Sequence, residues 1–355
     1  MTKLVNLEDC CKILDSQRIP ITANNRIEGP YPYYGANGIQ DYVAGYIFDD
    51  ELVLLAEDGG NFGSKDRPIA YRVSGKCWVN NHAHVLKPKS GLDVDYLCYS
   101  LAFYDTSNLV NGATRKKLTQ SAMRKMKIPL PPLNIQIKIV DTIKKVRSII
   151  SFRQSQLDKL DTLVKARFVE MFGDPCCNQL NWKCKKLNEI TSKIGSGATP
   201  KGGKESYVVN GVSFVRSLNV YDGNFVYKNL AHLTQVQASQ LQNVTLEKND
   251  VLINITGASV ARSCIVPNDI LPARVNQHVS ILRPNLENVN PVFLNQLLIS
   301  YNFKNKLLNL GSAGGATRQA ITKQQLEDLE IILPPIELQN QFTSFVQQVD
   351  KSKVA

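Results

Sequence analysis

Hydrophobic positions along the chain recur with two different periods. Short apolar runs bounded by turn residues, at residues 42–48, 52–57 and 251–256, predict β-strands. Residues 93–104 and 291–310 are longer and carry apolar side chains at helical spacing, which predicts α-helices. Both kinds of element occur in each half of the chain. The pattern therefore predicts an α/β fold of the mixed α+β kind.

The longest periodic segment, residues 135–171, contains neither Gly nor Pro and is followed by Gly173-Asp174-Pro175, a strong helix stop. Apolar residues spaced alternately by four and three residues form the seam of a coiled coil. Such a helix is roughly 55 Å long, which exceeds the width of a small domain and predicts a spacer rather than a core helix. The seam residues are Ile139, Ile143, Val146, Ile150, Leu157, Leu160, Val164 and Met171.

An internal repeat organises the chain. The segment 112–115, Gly-Ala-Thr-Arg, recurs as residues 315–318. At the same offset, Leu-Pro-Pro at 130–132 and Gln136 match Leu-Pro-Pro at 333–335 and Gln339. After the second Pro-Pro a second, shorter apolar seam begins and predicts a second helix. Its residues are Leu338, Phe342, Phe345 and Val349.

A second repeated block lies upstream of the first. Residues 79–82, Val-Asn-Asn-His, recur as residues 275–278, Val-Asn-Gln-His, at a slightly different offset. The remaining globular sequence aligns poorly between the two copies. The repeat therefore predicts two domains that share a framework and differ in detail, as a reader of two different half-sites would.

Charge adds a partner to this picture. The formal net charge is +11 and the isoelectric point about 9.2, which favours a polyanion such as nucleic acid, although charge can also serve solubility alone. The first residues lack a signal peptide and no apolar run is long enough to span a membrane, so we expect a cytoplasmic protein without membrane contact. The eight cysteines lack metal-ligand spacing, which predicts reduced thiols and no metal.

Three places in each copy carry side chains suited to contacts with bases or phosphates. They are a polar loop, the strand end with the Asn-x-His block and the segment after Gly-Ala-Thr. Each place has a structural alternative, because tyrosines pack turns, strand-end asparagines cap turns and a repeated histidine can belong to the framework. The candidates are Tyr33, Tyr34, Asn37, Asn80, Asn81, His82, Arg115, Lys116 and Lys117, and in the second copy Ser196, Thr199, Lys201, Asn276, Gln277, His278, Arg318 and Gln319.

These segments resemble the specificity subunits of type I restriction–modification systems. The resemblance rests on the paired Gly-Ala-Thr-Arg to Pro-Pro-x-x-x-Gln segments and on the helix end at 167–175, Arg-Phe-Val-Glu-Met-Phe-Gly-Asp-Pro. Residues 31–38 and 194–200 are also similar to this family. The resemblance implies two target recognition domains, each reading one half of a bipartite site in double-stranded DNA. Long conserved coiled-coil helices, packed antiparallel, separate the two domains.

The resemblance also implies partners. The helices dock methyltransferase subunits, which bind S-adenosylmethionine and methylate adenine, and a separate motor-nuclease subunit cleaves DNA. The chain itself would then have no catalytic residues and no cofactor. The implied domains are residues 1–133 for the first recognition domain, 134–173 for the central helix, 174–334 for the second recognition domain and 335–355 for the second helix.

Alternatives remain open. The family's second helix normally continues further, so a truncated or silent specificity cassette is one alternative, and the uncovered seam would then drive self-association. A self-contained adenine methyltransferase is another, but it requires an Asn/Asp-Pro-Pro-Tyr/Phe motif, and residues 290–293, Asn-Pro-Val-Phe, lack the second proline. A coiled-coil adaptor without a DNA role is the third, and the charge and two divergent domains argue against it.

Overall fold

The computed structural model describes residues 3–112, 115–200, 202–312 and 319–354, with the side chains of residues 204 and 205 left out. The chain forms two compact units, Met1–Arg153 and Gln154–Ala355. The boundary between these units lies within a long helix, whereas the four-part division expected from the sequence places its boundaries at helix ends. Both units contain helices and sheets, which confirms the predicted mixed α/β class.

The first unit begins with short elements and continues into a six-stranded sheet. Its strands are β1 (Leu4–Asn6), β2 (Cys11–Ile13), β3 (Glu28–Gly35), β4 (Gly38–Val43), β5 (Phe48–Ala56), β6 (Ala70–Val79), β7 (Ala83–Pro88), β8 (Val110–Asn111), β9 (Lys117–Leu118) and β10 (Lys127–Pro129). Its helices are α1 (Leu7–Cys10), α2 (Val94–Ala102), α3 (Gln120–Arg124) and the first part of α4 (Leu133–Phe172).

Strand β5 lies inside the main sheet, whose strand order is β2-β7-β5-β6-β3-β4. The second half of β5 is continuously apolar because both faces of the sheet are covered there. Val53 and Leu55 join a core cluster beneath α2, while Leu52 and Leu54 join a cluster on the other face. The predicted strand at 42–48 is wrong, since β4 ends at Val43 and β5 begins at Phe48, with a bend between them.

The second unit has more and shorter strands. They are β11 (Cys184–Lys186), β12 (Thr191–Ser196), β13 (Val212–Val215), β14 (Val220–Tyr221), β15 (Asn224–Phe225), β16 (Ala231–Leu233), β17 (Thr245–Leu246), β18 (Val251–Asn254), β19 (Ser263–Ile265), β20 (Ala273–Val275), β21 (Val279–Pro284) and β22 (Glu330–Ile332). Its helices are α5 (Leu187–Ile190), α6 (Gln235–Gln240), α7 (Pro291–Ile299), α8 (Tyr301–Ser312), α9 (Lys323–Glu327) and α10 (Ile336–Val354), together with the second part of α4.

The second unit contains two four-stranded sheets, in the strand orders β12-β21-β18-β19 and β16-β13-β20-β17, and the two-stranded pairs β11-β22 and β14-β15. Strand β18 shows the same two-faced burial as β5, because Val251 and Ile253 face one core cluster and Leu252 faces another. The predicted helix at 291–310 is wrong as a single element. Ser300 is extended, with ψ 145°, and its hydroxyl donates to the carbonyl of Leu297, so α7 ends there and α8 starts anew.

Helix α4 spans the segment in which the sequence predicts one long helix. It ends at Gly173, which has a left-handed φ of 72° and donates its N–H to the carbonyl of Val169 at 2.8 Å. Glycine adopts this conformation without a Cβ clash, which is why the helix stops at this residue. In the described residues, no helix is both long enough and apolar enough to cross a membrane.

Helix α10 packs antiparallel to the second part of α4. The ring of Phe342, near the start of α10, lies 5.5 Å from that of Phe168, measured between ring centroids. At the other end, Lys353 Nζ lies 2.8 Å from Asp161 Oδ1. Residue numbers therefore increase in opposite directions along the two helices.

The buried positions of this helix pair differ in part from those that the heptad count predicts. Counting from Ile139 places Arg167 on the seam, but Val164, Phe168 and Phe172, spaced by four, are the buried residues. Arg167 instead lies over the ring of Phe345 at 5.8 Å. Of the remaining predicted interface residues, Phe342 and Val349 are buried and Leu160, Met171, Leu338 and Phe345 pack against the same core.

The first part of α4 presents an apolar stripe to solvent. In the first unit, Val140 reaches the core and Lys144 Nζ pairs with Asp95 of α2 at 2.6 Å. The seam residues predicted for this part of the helix do not face that core. Ile139, Val146 and Ile150 are exposed, as are Ile149 and Phe152, while Ile143 and Leu157 are half-buried.

Candidate nucleic-acid interface

The loop after β5 is held by three main-chain hydrogen bonds. Glu57 donates its N–H to the carbonyl of His82 at 2.8 Å, and Gly59 donates to the carbonyl of Lys116 at 3.2 Å. Leu118 donates in turn to the carbonyl of Glu57 at 2.7 Å. The two repeated sequence blocks, the Asn-x-His strand end and the segment after Gly-Ala-Thr, therefore meet at one loop.

The loop after β18 in the second unit has the same three bonds. Ile255 donates to the carbonyl of His278 at 3.0 Å, Gly257 to that of Gln319 at 3.0 Å, and Ile321 donates to Ile255 at 2.8 Å. We call this arrangement the loop frame. The frame makes Glu57 equivalent to Ile255 and hence makes Asp58 equivalent to Thr256, although the surrounding sequences align poorly.

A glycine is required at one position of each loop frame. Gly59 and Gly257 have φ values of 63° and 77°, in the left-handed region that side chains rarely adopt. In the first unit a Cβ on Gly59 would also lie 3.1 Å from Nε of Arg115. The loops therefore combine an invariant backbone path with side chains that differ between the units.

The first asparagine of each Asn-x-His block is part of the framework. Asn80 and Asn276 are buried, and their Oδ1 atoms accept the backbone N–H of His82 at 2.8 Å and His278 at 3.1 Å. This is the turn-capping role open to a strand-end asparagine. Asn80 also donates to Gln40 at 2.9 Å. The structure thus places both asparagines away from the surface on which the sequence hypothesis put them.

In the first unit, the side chain of Asp58 contacts a histidine and an arginine. His82 Nδ1 lies 2.6 Å and Arg115 Nη2 lies 2.7 Å from Asp58 Oδ1. The Arg115 side chain is 61% exposed, so its remaining donors face solvent. Asn37 donates to the carbonyl of Gly59 at 3.0 Å at the same place. The site is a polar surface whose arginine is oriented by a carboxylate.

In the second unit, an uncharged hydroxyl takes the place of that carboxylate. His278 Nδ1 lies 2.5 Å from Thr256 Oγ1. Thr256, His278 and Gln319 line an open recess of about 610 Å³, whose other walls include Tyr221 and Arg262. The loop frame therefore carries a different polar surface in each unit.

The remaining candidate residues are distributed unevenly. Tyr33 is buried, at 1% exposure, because it lies on the inner side of β3, where its hydroxyl donates to the carbonyl of Ile21 at 3.2 Å. The structure therefore contradicts its proposed place in an exposed loop, and Tyr34 is half-buried beside Tyr71. Lys201 and Arg318 lie outside the described residues. The exposed candidates are Asn37, Asn81, Arg115, Lys116, Lys117, Ser196, Thr199, Gln277 and Gln319.

Behind the first loop frame lies an ion-pair network that no sequence motif predicts. His84 is fully buried, with Nδ1 2.6 Å from Asp15 Oδ2 and Nε2 2.9 Å from the carbonyl oxygen of Leu118. Burial alone would raise the pKa of Asp15, but hydrogen bonds from His84, the N–H of Val85 and Gln120 outweigh it and lower that pKa. The network fixes β7 and β9, the two sides of the loop frame.

The same network contains a set of metal-type donors. Asp15, Glu57 and His84 each place one such atom within 4.8 Å of the others. Arg18 Nη1 lies 2.6 Å from Glu57 Oε2, and Lys117 Nζ lies 3.1 Å from Glu57 Oε1. Protein cations therefore already neutralise this carboxylate. We interpret the set as a structural ion-pair network.

Comparisons with known sequences all find the same family of proteins. The family model described as "Type I restriction modification DNA specificity domain" matches residues 2–162 and again 179–355. A putative type I restriction enzyme specificity subunit of Haemophilus influenzae is 27% identical over 97% of this chain and 86% of its own length. The type I restriction enzyme MjaVIII specificity subunit of Methanocaldococcus jannaschii is 22% identical over 98% and 86%.

Solved structures share the fold. The type I restriction-modification system S subunit from M. genitalium has a TM-score of 0.59 at 13% identity, over 99% of this chain and 90% of that chain. A chain from a structure titled as the basis of complex assembly and conformational transition of the type I R-M system has a TM-score of 0.57 at 17% identity, with the same coverage. At these identities the likeness concerns the fold alone.

Proposed function

The chain belongs to the family of type I restriction modification DNA specificity domains, and from this membership we propose that it selects the DNA sequence on which a type I restriction–modification complex acts. The observation that carries the proposal is the loop frame. The same main-chain bonds occur in both units, while Asp58 in one is replaced by Thr256 in the other. A duplicated backbone with different polar side chains is what two readers of two different sequences require.

The proposed target is double-stranded DNA with a bipartite sequence, one half read by each unit. The exposed surface beside the first loop frame carries Arg115, Lys116 and Lys117, and the whole chain has a formal charge of +11. Such cations neutralise phosphates and release counterions, a contribution that orients a protein on DNA without reading sequence. The polar side chains that differ between the loop frames would supply the base contacts.

The proposed division of labour leaves the chemistry to partner subunits. Methyltransferase subunits would bind S-adenosylmethionine and methylate adenine, and a restriction subunit would cleave unmodified DNA. The exposed apolar stripe on α4, including Val146, Ile149, Ile150 and Phe152, offers the chain a surface for docking such a subunit. The chain contributes neither a catalytic residue nor a cofactor to this scheme.

Methylation mapping tests the proposal directly. We expect the purified chain to bind no S-adenosylmethionine and to methylate nothing. With a cognate methyltransferase subunit and S-adenosylmethionine, adenine methylation should appear at one bipartite sequence, and omitting the chain should abolish it. Methylation or cleavage by the chain alone, or methylation by the pair without sequence preference, would contradict the proposal.

A further inference from the structure

We propose that Arg262 reads a guanine in the half-site recognised by the second unit. This inference rests on the proposed function and deepens it, because it assigns one base to one side chain. Arg262 precedes β19 and lines the recess that also contains Thr256 and His278. It was not among the residues that the sequence repeat singled out.

The hydrogen bonds of the two units place Arg262 at a position that differs between them. In the second unit Asn254 donates its N–H to the carbonyl of Arg262 at 2.8 Å. In the first unit Ala56 donates to the carbonyl of Ile69, also at 2.8 Å. Arg262 is therefore the equivalent of Ile69, a buried apolar residue. Arginine replaces isoleucine at the same loop frame at which threonine replaces aspartate.

The guanidinium of Arg262 is oriented by an aromatic ring but makes no polar contact with the described residues. Its carbon lies 4.4 Å from the ring centroid of Tyr221, so the side chain packs on an aromatic face. The guanidinium has no hydrogen bond or ion pair with the described residues, so that part of the chain uses none of its five N–H donors.

Each of the other described arginines of the same unit has at least one hydrogen bond or ion pair within the protein, although Nε of Arg167 and of Arg216 has no partner. Arg283 pairs with Asp250 at 2.8 Å, and Arg274 donates to the carbonyl of Ala238 at 3.0 Å. Burial of Arg274 and the ion pairs of Arg283 with both Asp250 and Glu247 mark these as structural side chains. Among the described arginines of this unit, Arg262 is thus the one whose guanidinium has no partner within the protein, which makes it available to a ligand.

Guanine is the base that such a side chain fits best. Its O6 and N7 atoms are both acceptors in the major groove, and a guanidinium can donate to both at once. Stacking on Tyr221 restricts the plane of the guanidinium before DNA arrives, which lowers the entropy lost on binding. A lysine at this position would keep the charge and could still donate to guanine, but it lacks the rigid planar fork of donors that the ring of Tyr221 can orient.

The experiment compares three variants of the full chain, each combined with the cognate methyltransferase subunit on a library of randomised duplexes. Arg262→Lys keeps the charge, Arg262→Ala removes it, and Lys248→Ala removes a charge from an exposed turn that does not line the recess. We expect Arg262→Ala to lose guanine preference at one position, by roughly 5- to 150-fold, and Arg262→Lys to lose part of that preference. All other positions of both half-sites, and the whole profile of Lys248→Ala, should stay unchanged.

The alternative outcomes separate this inference from the proposed function. If Arg262→Lys keeps every base preference while Arg262→Ala weakens all sequences alike with a flatter salt dependence, Arg262 contacts phosphate and the inference is wrong. Loss of the entire second half-site at an unchanged thermal midpoint would also overturn it, and loss with a lowered midpoint would mark Arg262 as structural. If instead the wild-type pair shows no sequence preference at all, the proposed function itself fails.

Discussion

Gln339 donates its side-chain amide to the carbonyl of Pro334 at 2.8 Å, and Gln136 does the same to Pro131, also at 2.8 Å. Both amides are fully buried. Their Oε1 atoms accept the N–H of Asn290 and Asp93, each at 2.9 Å. Asn290 and Asp93 are the N-caps of α7 and α2. Each glutamine therefore joins the start of a long helix to the neighbouring helix of its own unit.

Replacing Gln339 by leucine should destabilise the second unit. The change removes the hydrogen-bond partner of the buried carbonyl of Pro334, at a cost of about 1–3 kcal/mol, and that of the half-buried N–H of Asn290, at a smaller cost. Denaturant unfolding of the full chain measures the effect. Gln347→Leu, on an exposed face of α10, is the matched control and should change little. Equal stability of the two variants would contradict this role for Gln339.

The Asp15–His84 pair should make the first unit sensitive to acid. Because the folded state lowers the pKa of Asp15 below its ordinary value of 3.8, its stabilising effect is present above that value. The effect is lost as the pH falls through the lower folded-state pKa. We expect Asp15→Asn to lower the free energy of unfolding at pH 7 and to flatten its decline in acid. Asp66→Asn, at an exposed residue, should keep the wild-type profile, and parallel curves for all three proteins would count against the pair.

Arg115→Ala and Arg318→Ala should weaken DNA binding about equally for all sequences. The exposed donors of Arg115 beside Asp58 suit a phosphate, and Arg318 is its counterpart in the sequence repeat. Each substitution should also reduce the slope of log affinity against log salt by about one phosphate contact. Fluorescence anisotropy over a range of salt concentrations measures both quantities. A changed base preference at an unchanged slope would show that these arginines read bases.

Exchanging residues 180–310 for the matching segment of a relative should change one half of the target only. This segment contains the strands β18, β19 and β21 that carry most of the second loop frame, and it contains no residue of the first unit. Methylation mapping with the cognate methyltransferase subunit identifies which half changes, and that half is the one in which Arg262 is tested. A change in both halves would show that the two units do not read independently.

The exposed stripe of α4 should drive association. Ile149 and Phe152 are 66% and 71% exposed, and burying each such side chain is worth roughly 1.5–3 kcal/mol. We expect the lone chain to self-associate through this stripe or to need the methyltransferase subunit for solubility. The double substitution Ile149→Asp and Phe152→Asp should abolish self-association, docking to the methyltransferase subunit, or both. Light scattering measures the first and a pull-down experiment the second. Leu160 is unsuitable as a target, because it packs against the core of the second unit.

A monomeric lone chain that docks its partner equally well with and without the double substitution would contradict this prediction. Val169→Asp is the matched control, since Val169 is an exposed apolar residue on another face of the same helix, in the second unit. It adds the same kind of charge to α4 away from the stripe. This control variant should self-associate and dock its partner as the wild-type chain does.

The sequence predicted the framework better than it predicted the site. Repeated segments mark the residues that build each loop frame, because main-chain bonds and a left-handed glycine impose similar demands in both units. The same repetition misled the choice of Asn80, whose amide serves the turn rather than the surface. Arg262 escaped notice for the opposite reason, since its counterpart Ile69 differs from it. A repeat reveals what two units share, whereas specificity lies in what they do not share.

Local patterns failed where packing decided the outcome. The heptad count placed Arg167 on the seam, but the aromatic rings of Phe168 and Phe172 pack against Phe293 and displace the contact by one residue. Tyr33 similarly lies in a loop-like sequence that the structure builds into β3. Neither outcome follows from the sequence of one segment, because each depends on a partner far along the chain.

The main-chain nature of the loop frame has a consequence for how this protein can change. Since the bonds that hold the loop come from backbone groups, the side chains at 256, 262 and 319 are not needed to close it. A library that randomises these three positions together should therefore retain a large folded fraction, as judged by soluble yield and thermal midpoint. Selection from such a library for new methylation patterns would explore sequence preference at little expense in stability, and natural drift at the same positions would have had the same freedom.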